Sequence, residues 1–206
     1  MTALDRLEVD ALTLQRGART LLGGLSFNAV AGEALAITGA NGAGKTSLLR
    51  AIAGFTRPES GQIRFSQAGA ELDADATRRE QCHLVGHSDG LAIGRTVREE
   101  VIFAVRWTGG EAAAAIDGAR RLGLERVLDL PVRHLSAGQR RRVVLVRLIA
   151  APRRLWLLDE PLTPLDADSR ALLGVVMSAH LADGGVIVAA VHDPLPIAAR
   201  VVAISE

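Results

Sequence analysis

Apolar positions along the chain change period several times, and each period predicts an element. Residues 4–14 alternate loosely through Leu7, Val9, Ala11, Leu12 and Leu14, which predicts a strand turning at Gly17. Residues 25–30 predict a second strand, and 62–65 a short one after a turn cluster at 56–61. The runs 33–38, 82–86, 155–158 and 186–191 are short, almost continuously apolar and closed by turn residues, as strands buried on both faces are. Residues 200–205 predict a terminal strand. Helical spacing appears over 47–53, across about 96–150 and over about 166–181. Thr96 with Glu99, and Ser136 with Gln139, have the spacing of capping boxes, and Val97, Val101, Ile102 and Val105 share one helix face. Residues 66–80 are polar and Ala-rich and predict a loop with a poorly defined element.

Buried strands alternating with helices imply an α/β fold: a mostly parallel sheet wrapped by helices, with an antiparallel β part near the N-terminus. The helical block over about 90–150 reads as an inserted subdomain, so the expectation is one domain over 1–206, with its core at about 1–88 and 152–206. Composition narrows the function. The formal net charge of 206 residues is only +1, which gives no basic footprint for nucleic acid. Cys82 is the single cysteine, so no internal disulfide forms and a reducing compartment is expected. Its expected role is that of a small core residue. The N-terminus lacks the uncharged core of a signal peptide, and no apolar run reaches the roughly 18 residues of a membrane span. A membrane role would therefore need a partner.

The candidate chemistry sits at strand ends. Gly39, Ala40, Asn41, Gly42, Ala43, Gly44, Lys45 and Thr46 fit G-x-x-x-x-G-K-[ST], preceded by a strand and followed, from Ser47, by a helix. Glycines let backbone N–H groups converge on phosphate oxygens, and the helix start adds partial positive charge. Lys45 would reach the β- and γ-phosphates and the Thr46 hydroxyl would hold Mg²⁺. Lys45 is also the only lysine in the chain. A chain that otherwise uses arginine keeps lysine where a compact charge on a thin stem is required. The strand at 155–158 ends in Asp159, placed to meet Mg²⁺ directly or through water, and Glu160, placed to act as general base. Leu135, Ser136, Ala137, Gly138 and Gln139 open a helix and offer a second anion site; Arg140, Arg141 and Arg142 beyond it are expected to form a solvated face. His192 ends the strand at 186–191, where it could contact the γ-phosphate or orient the water.

These motifs, in this order and over nearly the whole chain, resemble the nucleotide-binding subunits of ABC transporters. Gly39 to Thr46 looks like Walker A, 135–139 like the signature with Ala137 for its first glycine, and 155–160 like Walker B with its glutamate. Residues 161–166 resemble the D-loop, with Asp166, and His192 the switch histidine. The resemblance implies a P-loop NTPase fold with a RecA-like core and an ATP hydrolase coupled to transport. It also implies transmembrane partner subunits and a head-to-tail dimer with ATP between Walker A of one copy and the signature of the other. Within the family, 38–50, Val85-Gly86-His87 and 130–143 are similar to the ATPases of the haem exporters of cytochrome c biogenesis, which implies a place at the cytoplasmic face of the inner membrane. Two positions depart from the family pattern. His87 and Ser88 stand where the family carries a glutamine, and Arg16 where it carries an adenine-stacking aromatic. The competing readings are a subunit of another ABC exporter, a non-transport ABC ATPase and a nucleotide-binding regulator without hydrolysis. Balanced charge and a single domain argue against the second, and Asp159, Glu160 and His192 against the third.

Overall fold

The computed structural model describes residues 3–204. The chain forms two compact units: one joins the residues up to Gly86, Arg153–Pro161 and those from Met177 on, the other His87–Pro152 and Leu162–Val176.

In the first unit β1 (Arg6–Arg16) and β2 (Arg19–Val30) form a long hairpin. The loose alternation of β1 has a physical origin. Leu7 and Val9 are buried, and then Leu12 and Leu14, because a bulge between Val9 and Leu12 inserts one residue and returns the apolar phase to the same face. Ala11 takes up the bulge with φ 46°. β3 (Ala34–Thr38) follows, then α1 (Lys45–Ile52), β4 (Ser60–Gln67) and β5 (Ala70–Glu71). The antiparallel sheet has the order β2-β1-β4-β5.

Residues 66–80 correct the expectation of a loop. They hold β5 and an eight-residue helix, α2 (Ala74–Gln81), whose N-cap Asp73 accepts a hydrogen bond from Ala76 N at 2.7 Å. Only Thr77 of α2 is buried, so no apolar stripe announces the helix. Arg78 anchors it instead: Nε donates to Ile52 O at 3.0 Å and the guanidinium lies 5.5 Å from the Phe65 ring centroid.

β6 (Cys82–Val85), β7 (Leu155–Asp159), β8 (Val186–Ala190) and β9 (Arg200–Ala203) complete a parallel sheet of order β6-β7-β8-β3-β9. Every residue of β7 and β8 is buried, which is why both read as continuous apolar runs. Ser205, expected to end the last strand, lies outside the described residues. Cys82 is a buried core thiol, pushed by burial up to about 12.

The second unit packs α3 (Val97–Trp107), α4 (Ala112–Arg121) and α5 (Ala137–Ala150) around Val97, Val101, Val105, Ala115, Ala119 and Val146. Both expected capping boxes form, at Thr96/Glu99 and Ser136/Gln139. The residues of α6 (Ala167–Ala182) through Val176 group with this unit, and the remainder with the first. The expected solvated arginine face is corrected: Arg141 is 1% exposed, and Arg140 and Arg142 are half-buried. Each reaches an acceptor on another segment, which charge-run reasoning does not anticipate.

Candidate nucleotide-binding site

Strand order builds the site in the first unit. β3 lies beside β8 and β8 beside β7, all parallel, so their C-terminal ends share one edge. Ile37, Ala190 and Asp159 stand in one row across the three strands. The glycine loop leaves β3 at that edge, Glu160 follows β7, and His192 follows two residues after β8. Open parallel sheets bind ligands at this edge, outside the carboxyl ends of the strands.

The loop over 39–46 is shaped by glycine. Gly39 has φ 153°, and a Cβ there would lie 2.5 Å from Ile204 O. Gly44 has φ 98° and precedes α1 without supplying a side-chain cap, so no side chain of its own competes for the helix-start N–H groups. Lys45 is 7% exposed and its ammonium donates to Gly39 O at 2.7 Å and Ala40 O at 3.1 Å. The cation is thus held over the loop that would receive the phosphates. Thr46, next in α1, donates from Oγ1 to Asp159 Oδ2 at 2.9 Å, across 113 residues of sequence. Asp159 is 3% exposed. A hydroxyl and a carboxylate oxygen are hard donors that suit Mg²⁺ completed by phosphate oxygens and water. Among the described residues no group of three or more His, Cys, Asp or Glu forms a protein-only metal site.

Glu160 carries backbone strain. Its φ is 49°, in a region that non-glycine residues rarely occupy, while its N–H donates to Ala190 O at 3.0 Å. This turn brings Oε1 to 3.2 Å from His192 Nε2, with the carboxylate largely buried and the imidazole half exposed. Thr46, Asp159, Glu160 and His192 therefore line one edge with the loop from Gly39 to Ser47.

Leu135 to Gln139 and Asp166 belong to the second unit, each at a helix start. Ser136 Oγ accepts from Gln139 N at 3.2 Å, and Gln139 Oε1 accepts from Ser136 N at 2.9 Å. Asp166 precedes α6 and accepts from Ser169 N at 2.9 Å; the Ser169 hydroxyl and N–H hold its carboxyl below the usual range. His87 and Ser88 lie on an exposed bend after β6, and Arg16 is exposed at the end of β1. Sequence reasoning does not single out Asp89, whose carboxylate meets Arg141; the run of three arginines was the available signal.

The sequence profile of the ABC transporter family matches residues 22–163. The chain belongs to that family. It is similar to the cytochrome c biogenesis ATP-binding export protein CcmA of Rhodopseudomonas palustris (strain BisB18), with 48% identity over 95% of this chain and 96% of the relative. The protein of the same name from Nitrobacter winogradskyi is 45% identical over the same shares. A solved structure described as a putative ABC transporter ATP-binding protein from Pyrococcus furiosus shares the fold, with a TM-score of 0.80, 19% identity and 97% of each chain covered. Family membership makes the chain an ABC-type ATPase, with ATP hydrolysis coupled to transport. No helix among the described residues is long and apolar enough to cross a membrane.

Proposed function

We propose that the chain is the ATP-hydrolysing subunit of the haem exporter of cytochrome c biogenesis. It would act as a head-to-tail pair bound to transmembrane subunits at the cytoplasmic face of the inner membrane. The observation that carries hydrolysis is the shared edge on which Thr46–Asp159 and Glu160–His192 meet the glycine loop. The export assignment is supported by the names and close identity of the relatives. The first unit serves as the nucleotide-binding core and the second as the helical subdomain, with 87–106 as the docking region for the transmembrane subunits. Nucleic acid is not a partner on this reading.

Backbone N–H groups from Gly39 to Ser47 receive the phosphates, and Lys45 moves from two carbonyls to the β- and γ-oxygens. Thr46 and Asp159 would hold Mg²⁺, Asp159 directly or through water, and when bound it would supply charge neutralisation of the phosphates. Glu160 takes the proton of the attacking water, and His192 fixes the carboxylate and approaches the γ-phosphate. Leu135 to Gln139 of a second copy close on the same phosphates through their helix start, with Asp166 in the adjoining loop.

Glu160→Gln keeps the shape and removes the base. We expect ATP affinity within about threefold and hydrolysis lowered by roughly 10²–10⁴. Near-normal turnover in that variant would remove Glu160 from the mechanism.

A further inference from the structure

Three consecutive arginines in the first turns of α5 go to three different acceptors. Arg140 Nη1 donates to Leu135 O at 2.6 Å and Arg142 Nη1 to Leu122 O at 3.0 Å. Arg141 Nη1 meets Asp89 Oδ1 at 3.3 Å. The Arg141 side chain is 1% exposed and that of Asp89 25%. A guanidinium buried this far from water is costly unless its carboxylate stays with it, whereas exposed ion pairs exert little hold.

The two partners differ in rigidity. Arg141 stands on the first turns of α5, five residues after the cap Ser136, and moves with the helix as one body. Asp89 lies on an irregular segment between the exposed His87, Ser88 and Gly90. A displacement at Ser136 to Gln139 is followed more cheaply by this segment than by drawing the carboxylate away from the buried guanidinium. Asp89, Gly90 and Leu91 also wall a recess of about 150 Å³ together with Glu100, Phe103 and Trp107. Phe103 and Trp107 stack with ring centroids 6.3 Å apart, the first about half and the second largely exposed, and line a neighbouring groove of about 620 Å³.

We infer that Arg141 and Asp89 are positioning residues for coupled hydrolysis: their ion pair ties segment 87–91, and with it the recess wall, to the helix that carries the signature. The pair transmits the placement of the signature helix to the docking region, and the reverse. This inference rests on the proposed coupling to transmembrane subunits.

The test uses the complex of the chain with its transmembrane subunits, assayed for hydrolysis against ATP concentration, beside ATP binding by the chain alone. Asp89→Ala is expected to lower kcat of the complex about tenfold, with KM and the chain's own ATP affinity within about twofold. Asp89→Glu, which keeps the charge, restores most of the rate. Asp89→Asn keeps the shape without the charge and is expected to behave as Asp89→Ala does, so a misfolded alanine variant leaves the inference testable. A kcat within about twofold of the unaltered complex for Asp89→Asn overturns it. Equal losses of kcat and of ATP affinity by the chain alone overturn it as well, since they mark a structural role only. Hydrolysis by the unaltered complex, and its loss in Glu160→Gln, tests the proposed function separately.

Discussion

At the residue scale, burial decides which polar groups matter. His180 stacks on Trp156 with ring centroids 3.7 Å apart and planes 8° from parallel. Gly185 is needed beneath the ring, because a Cβ there would lie 2.2 Å from His180 atoms. Burial lowers the His180 pKa from 6.5 to about 4. The folded state therefore keeps this imidazole neutral while the unfolded chain protonates it first. Its contribution is complete above pH 6.5, falls as the pH drops through that value and levels off near 4. Partial solvent contact limits the loss to on the order of 2 kcal/mol. His180→Phe keeps the stack without the titration. Thermal melts of the two proteins are expected to diverge between pH 7 and 4.5, the variant falling less; parallel curves would deny the imidazole this role. Carboxylates held low, such as Asp166, lose stability only at still lower pH. Much of the geometry of the candidate site was legible residue by residue, since the phosphate and metal chemistry proposed for it restricts both residue type and spacing, as at Gly44, Lys45, Thr46, Asp159 and Glu160. Arg141 escapes prediction because a run of like charges marks the place without saying that one member is buried against a carboxylate fifty-two residues earlier.

At the element scale, legibility follows what each element buries. β7 and β8 are enclosed on both faces, so they appear as apolar runs with clear ends. α3 and α5 announce their starts through capping boxes that form as the spacing predicts. α2 was hidden because its anchor is the stem and guanidinium of Arg78, an interaction with no periodicity. Its N-cap then matters more than for a helix held by an apolar face. Asp73→Ala removes the acceptor for Ala76 N and is expected to cost about 1 kcal/mol, read as a lower denaturation midpoint with an unchanged m-value. No change in midpoint would mean that Arg78 alone holds the helix. The bulge at Ala11 shows the same limit: alternation marked β1 as a strand, while the extra residue showed only as looseness.

At the scale of the whole molecule, strand order does what no single motif can, bringing residues separated by more than a hundred positions onto one edge. The glycine loop and the helix start at Ser136 are two candidate anion sites, and the proposed pairing of copies gives each a use. Hydrolysis by the chain without its membrane partners should then rise more steeply than linearly with chain concentration, with an order of about two at low concentration. Strict proportionality would show that one copy suffices. Pairing is not read from periodicity, since it concerns surfaces that no internal core organises. The choice of arginine over lysine also has a consequence for covalent chemistry. Apart from any α-amine, the molecule has a single acylatable nitrogen, Lys45 Nζ, and it is buried against the glycine loop proposed to hold the phosphates. Amine-directed labels and cross-linkers will pass over the rest of the surface, and on the proposed function acetylation of the lysine side chain would silence the nucleotide grip.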